Sequence, residues 1–187
     1  MTMVADDKML RRLILGESPE EEVRALIRAK DKDPNRLKRY NAILGELVSW
    51  DEEILLRISE HLFIVRSPGG RIVKCDCGQE FGDYRVNWKL GCNIYVRDSR
   101  ESMKEVFNAD IGPSPKFFEV REYSCPGCAT QLGVEVVPPG YPILFELLPD
   151  LDTLYGDWLG EPLEDAADDW YQDLTWTKTK EWLDDGR

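Results

Sequence analysis

Two close cysteine pairs constrain this chain more than anything else in it. Cys75-Asp76-Cys77-Gly78 and Cys125-Pro126-Gly127-Cys128-Ala129 each follow a stretch with strand character. Each reads as a knuckle, in which the turn after a strand aims two thiolates at one metal and a small residue lets the backbone bend beneath it. Two knuckles supply four sulfurs, the donor set of a closed tetrahedral zinc site with Zn–S near 2.3 Å. Cys75, Cys77, Cys125 and Cys128 are therefore the candidate metal ligands. A metal shared by them would hold two sequence-distant hairpins together and substitute for missing core. The first pair is C-x-C, tighter than the usual C-x2-C, so the second carries more of the signal. A rubredoxin-like iron site uses the same ligands, and separate structural thiols are a third alternative. A thioredoxin-type pair fits Cys125 and Cys128 less well, because that motif belongs at a helix N-terminus. Four thiolates with no vacant position build structure and rarely catalyse.

Cys92 makes the count odd, which argues against a disulfide framework. From Lys89 to Val96 the sequence alternates, with Leu90, Cys92, Ile94 and Val96 on one face, so Cys92 is expected to be a buried thiol and not a fifth ligand. The only histidine, His61, stands beside Leu62 and Phe63 and is expected to be packed or at the surface.

Charge narrows the partners. The 187 residues carry 24 Lys plus Arg against 36 Asp plus Glu, a net charge of −12. Such a chain repels a phosphate backbone, and even residues 1–46, with 10 basic and 9 acidic groups, are nearly neutral. Nucleic acid is not the expected partner. No apolar run is long enough to span a membrane, and charges from Met1 to Arg12 occupy the place of a signal-peptide core. The expectation is a cytoplasmic chain with no membrane partner.

Patterning divides the chain into three parts and predicts an α+β fold: a zinc-ribbon-like antiparallel β core with short N-terminal helices and an extended acidic C-terminal arm. In residues 1–60, the N-terminal helical arm, Leu10, Leu13 and Ile14 form one apolar stripe. Ser18-Pro19-Glu20-Glu21 predicts a capped helix start, with Val23, Leu26 and Ile27 on its buried face. Asp33-Pro34 predicts another start, followed by Leu37, Tyr40, Leu44, Leu47 and Val48 on one side, and a fourth helix is expected near Ser49 with Glu52 at the capping-box position. Helices this short are marginal alone, so their stripes need the next domain or a partner.

Residues 61–148 change period and form the zinc-knuckle β domain. Leu62 to Arg66 and Arg71 to Lys74 flank Ser67-Pro68-Gly69-Gly70 as a hairpin. Arg100 to Phe107 predicts a short helix, and Lys116 to Ser124 and Gln131 to Val137 predict strands around the second cysteine pair. Residues 149–187 are the acidic, Trp-rich arm. From Gly156 onward there are 10 acidic and 3 basic residues, together with Trp158, Trp170, Trp176 and Trp182. Dense charge favours disorder, but tryptophans favour an interface, so the arm is expected to lie on a partner. No phosphate-binding glycine loop, H-E-x-x-H or nucleophile elbow is present. The residues themselves point to a zinc-stapled binding or assembly module with no catalytic or cofactor-binding residue of its own; a zinc-ribbon adaptor in a transcription or nucleic-acid assembly is the alternative.

The cysteine segments and their surroundings resemble the acetone carboxylase gamma subunit family, which includes the small subunit of acetophenone carboxylase. The resemblance is carried by Trp50-Asp51, Leu62-Phe63-Ile64-Val65, Lys74-Cys75-Asp76-Cys77-Gly78-Gln79-Glu80-Phe81 and Asn87-Trp88-Lys89-Leu90. It continues through Tyr95-Val96-Arg97-Asp98, Arg121-Glu122-Tyr123-Ser124-Cys125-Pro126-Gly127-Cys128, Tyr141-Pro142, Pro149-Asp150 and Trp158-Leu159-Gly160. It implies a small, structural, zinc-containing subunit of a hetero-oligomer that joins a ketone, acetone or acetophenone, to bicarbonate at the expense of ATP. It further implies that ATP, with any divalent metal it needs, and the chemistry belong to large hydantoinase-like subunits. Carried over residue by residue, the zinc ligands fall on Cys75, Cys77, Cys125 and Cys128. The chain departs from the family pattern at Gln79 and Gly82, where His and Cys are associated with it, and in a longer tail beyond Gly160.

Overall fold

A computed structural model of the chain describes residues 5–108, 112–166, 168–170 and 172–184. Among these, the helices are α1 (Asp7–Ile14), α2 (Glu20–Arg28), α3 (Arg36–Gly45), α4 (Arg100–Lys104), α5 (Leu151–Thr153) and α6 (Thr175–Asp184). Strands β1 (Glu53–Arg57), β2 (Leu62–Ser67), β3 (Gly70–Cys75) and β4 (Glu80–Asp83) form one antiparallel sheet in that order. Strands β5 (Asn93–Arg97), β6 (Glu119–Ser124) and β7 (Gln131–Val137) form a second. The α+β expectation holds as mixed helices and antiparallel sheet, divided between two sheets.

The run Leu62-Phe63-Ile64-Val65 explains the layering. All four side chains are buried, which a strand achieves only when both faces are covered. Leu62 and Ile64 join Leu55, Val73 and Cys75 on one face, against Leu151, Tyr155 and Leu163. Phe63 and Val65 join Ile54 on the other, against Leu44, Tyr40 and Trp50. The first sheet is thus sandwiched between the N-terminal helices and the segment that begins at α5. The hairpin expected around residues 67–70 is β2–β3, with Ser67 opposite Gly70.

Several local expectations are corrected. The predicted fourth helix near Ser49 is absent: the chain turns there and enters β1, which pairs with β2 from Glu53 opposite Arg66. Glu52 makes an ion pair with Lys74 in place of a capping box. Ser18 caps nothing; its hydroxyl is buried without a partner, and α2 starts after Pro19 with no side-chain cap. The expected buried face of α2 forms only in part: Leu26 packs against Ala5, Leu10 and Ile43, but no residue of this helix is fully buried and Ile27 is 71% exposed.

The segment following Pro149 does not hang free where it begins. Asp150 caps α5 by accepting a hydrogen bond from the Thr153 N–H at 2.9 Å, and α5 continues into a π-helical turn, Leu154–Trp158. Tyr155 donates its hydroxyl to the Leu55 carbonyl at 2.8 Å. Arg71, whose side chain is 6% exposed, pairs with Asp152 at 2.6 Å and Asp165 at 3.0 Å. Residues 150–165 therefore complete the core of the first sheet, because Leu151 and Leu163 supply apolar surface that the strands lack. Trp158 and Trp176 remain 74% and 65% exposed; the side chain of Trp182 lies outside the described residues.

Candidate metal centre

Each cysteine pair sits at a hairpin turn of a different sheet. Cys75 is the last residue of β3 and Cys77 lies in the β3–β4 turn. Cys125 follows β6 directly, and Cys128 lies in the β6–β7 turn. The two turns close in the same manner. The Cys75 N–H donates to the Gln79 carbonyl at 2.8 Å, and the Cys125 N–H donates to the Thr130 carbonyl at 2.9 Å. Gly78 adopts φ +96° and Ala129 φ +60°, the left-handed conformation that reverses the chain beneath each pair. The C-x-C knuckle, with one residue fewer, closes equally well because Gly78 carries its turn.

These turns bring the four sulfurs together. The Cys75 and Cys128 sulfurs are 4.0 Å apart, the Cys77 and Cys125 sulfurs 3.7 Å, and all four lie within 4.8 Å of one another. A tetrahedron with metal–sulfur bonds near 2.3 Å has edges of about 3.8 Å. The donor set and its spacing therefore fit a single tetrahedral ion, and these four cysteines could hold one. All five cysteines are free thiols. Cys75 and Cys125 are buried, whereas Cys77 and Cys128 are exposed.

The electrostatics divide differently, by turn. Burial pushes the Cys75 thiol far up and raises Cys77 as well. Hydrogen bonding to the Thr130 hydroxyl and backbone pulls Cys128 down to about 7. A cation in the cluster would reverse the penalty on Cys75 and Cys77, since a coordinating thiol is deprotonated outright.

Surrounding groups brace the knuckles. The Trp50 indole N–H lies 3.1 Å from both the Cys75 and Asp76 carbonyls, and its ring packs edge-on against Phe63. His61 Nδ1 is 2.6 Å from the Asp76 carboxylate, so the lone histidine, expected only to be packed or superficial, holds the residue between two candidate ligands. At Gly127 the two turns come close together. A Cβ there would lie 3.1 Å from the Gln79 Cβ and 3.4 Å from the Cys77 sulfur. Sequence reasoning missed this role of Gln79 and of Trp50, because neither belongs to a ligand motif.

The cluster also joins the sheets. Phe81 meets Trp88, and Trp88 meets Tyr123, both edge to face. Beside them a cleft of about 240 Å³ runs between Ile58 and Leu62 of the first sheet's side and Leu132 and Gly133 of the second. Lys89, with a side chain 5% exposed, spans this region by pairing with Glu135 and, at 3.2 Å, Glu146. Tyr123 donates to the other Glu135 oxygen at 2.7 Å. Burial works to raise the Glu135 carboxyl, but the bonds from Lys89 and Tyr123 outweigh it and hold the group below its usual value.

The family model described as acetone carboxylase gamma subunit matches residues 48–159, a stretch that contains both knuckles. This chain belongs to the acetone carboxylase gamma subunit family. It is 39% identical over 139 residues to the acetone carboxylase gamma subunit of Xanthobacter autotrophicus, covering 73% of this chain and 83% of that one. It is 32% identical over 81 residues to the acetophenone carboxylase beta subunit of Aromatoleum aromaticum, covering 42% of this chain and 63% of that one.

Within the family-matched stretch, Cys92 stands outside the four-sulfur cluster. It is half-buried just before β5, and burial pushes its thiol up to about 12. The face expected to bury it is only partly formed: residues 88–91 make a 3-10 turn, so alternation begins at β5. Ile94 and Val96 are then 37% and 39% exposed, because β5 is an edge strand of the second sheet.

Proposed function

We propose that this chain is the non-catalytic, zinc-binding gamma-type subunit of an ATP-dependent ketone carboxylase that joins acetone or acetophenone to bicarbonate. Cys75, Cys77, Cys125 and Cys128 would hold the zinc ion. The ion would supply structure, because four thiolates leave no position for substrate. The observation that carries the reading is the convergence of four sulfurs from two sheets, at tetrahedral spacing, in a member of the gamma subunit family. ATP binding and chemistry would reside in large, hydantoinase-like subunits, with which this chain forms a cytoplasmic hetero-oligomer. The exposed Trp158 and Trp176 in the acidic C-terminal region support its role as an arm lying on those subunits, since exposed tryptophans gain most from burial at an interface.

The test is co-expression with the large subunits, followed by native mass spectrometry and elemental analysis. The expected result is a complex holding one zinc per copy of this chain. A chain that carries zinc yet never enters the complex would favour the adaptor alternative. A complex without metal would overturn the zinc assignment alone.

A further inference from the structure

Among the described residues four strands stand at sheet edges, and three of them are guarded. An edge strand offers a row of unpaired N–H and C=O groups, which folded chains blunt with bulges, charges, prolines or covering groups. β1 has a register shift between Ile54 and Leu56, and the Asn41 amide takes its Ile54 and Leu55 carbonyls at 2.9 and 3.2 Å. β4 is Glu80-Phe81-Gly82-Asp83, with a register shift where it meets β3. β7 has an irregularity opposite Tyr123 and Ser124, turns the charged Glu135 inward to Lys89, and runs into Pro138-Pro139.

β5 has none of these guards. Its five residues, Asn93-Ile94-Tyr95-Val96-Arg97, pair with β6 in unbroken register. Ile94, Tyr95 and Val96 are all exposed. On the side away from β6, no group among the described residues bonds its backbone. Its one charged side chain, Arg97, is turned back on the chain, pairing with Glu105 at 2.6 Å and Glu122 at 3.0 Å.

The strand suits a second copy of itself. Laid antiparallel about a twofold axis at Tyr95, it sets Tyr95 opposite Tyr95, Ile94 of one copy opposite Val96 of the other, and Asn93 opposite Arg97. Alternation gathers Ile94 and Val96 of both copies into a quartet of β-branched side chains on one face and the two tyrosines on the other. No pair opposes like charges. Paired positions differ by even numbers, so outward-facing backbone groups meet outward-facing ones whichever alternate set points away from β6. Such an isologous contact closes at two copies. Charge permits the approach as well: residues 93–107 hold three basic and three acidic side chains, a neutral stretch in a chain of −12.

We propose that β5 is the interface between two copies of this chain, which pair antiparallel about Tyr95 and join their three-stranded sheets into one of six. The proposal goes beyond the subunit reading and does not depend on it.

The test is sedimentation velocity and native mass spectrometry of the full chain across roughly 1 µM to 1 mM. A concentration-dependent monomer–dimer equilibrium is expected. Ile94→Lys gives β5 the guard it lacks and should weaken the dimer by at least about tenfold in Kd, while a melt of the dilute chain confirms that the monomer still folds. Tyr95→Cys should form a disulfide-linked dimer under mild oxidation, because opposed Cα atoms lie about 4.5–5.5 Å apart. Ile94→Cys should link more slowly, since position 94 meets position 96, and the unaltered chain serves as control. A chain monomeric throughout the range, a dimer that Ile94→Lys leaves equally tight, or linkage at 94 as fast as at 95 overturns the proposal. A monomer whose β5 amides gain exchange protection only in the co-expressed complex assigns the edge to another subunit and overturns it too. A dimer that enters no complex leaves the proposal standing and defeats the subunit reading.

Discussion

Replacing Cys125 with serine removes a fully buried thiol and, on the reading proposed above, one of four zinc ligands. The cost follows from where the cluster sits. A metal linking Cys77 to Cys125 closes a loop of about 48 residues, and a cross-link of that length restricts the unfolded chain by about 4 kcal/mol. At roughly 2–4 °C per kcal/mol for a domain of this size, the melting temperature should fall by roughly 8–16 °C. Total stabilities are only about 5–15 kcal/mol, so this is a substantial share. The loss should be uneven. The first sheet keeps the core formed by Leu55, Leu62, Ile64, Leu151 and Tyr155. The second is joined to it near the cysteines by the Phe81–Trp88–Tyr123 contacts and by Cys125 and Leu132, which reach the edge of that core. Amide exchange should therefore accelerate first in β5, β6 and β7. Chelation of the unaltered chain should reproduce the effect, and Cys92→Ser, outside the cluster, should not. Thermal melts with elemental analysis decide the matter. A Cys125→Ser chain that keeps a full metal complement and melts within about 2 °C of the unaltered one would refute the four-thiolate argument.

Other outcomes follow from the same geometry. Arg71→Ala should cost roughly 1–3 kcal/mol in denaturant melts, because it removes a buried guanidinium that bonds both Asp152 and Asp165; it should also loosen residues 150–165 in exchange experiments. Gly127→Ala should raise the zinc dissociation constant in a chelator competition, since the added methyl lies 3.1 Å from the Gln79 Cβ and presses the turns apart. Acid should destabilise the fold through Glu52, Asp165 and Glu135, whose carboxyls are all held below their ordinary values. Lowered carboxyl values stabilise the fold fully above the unfolded values of 3.8 and 4.5, and that contribution disappears as pH falls through the folded ones. Urea melts across this range should show the decline, and Lys89→Met, which deprives Glu135 of its cation, should make it shallower. A pH-independent midpoint below pH 5 would contradict these assignments.

What the sequence determined by itself was local and chemical. The two cysteine turns, the β2–β3 hairpin around Ser67-Pro68-Gly69-Gly70, α4 and strands β6 and β7 were legible because a turn or ligand motif lies within a few residues of itself. The motif could also nominate Cys75, Cys77, Cys125 and Cys128 as one set, since four thiolates suit one tetrahedral ion. Tertiary structure decided what depends on a distant partner. Residues 53–57 became β1 because β2 offers a strand to pair with, whereas their composition after Ser49 resembled a helix start. Leu151, Tyr155 and Leu163 became core because the face of the first sheet opposite the N-terminal helices needs apolar cover, and no local pattern in an acidic, Trp-rich segment shows that. The stripe of α2 behaved conversely: its amphipathic period was readable, yet only the packing revealed that it is half covered, with Leu26 against Ala5, Leu10 and Ile43 and Ile27 left exposed. A short sequence window records propensity and spacing, but burial depends on which surfaces meet after the chain has folded back on itself.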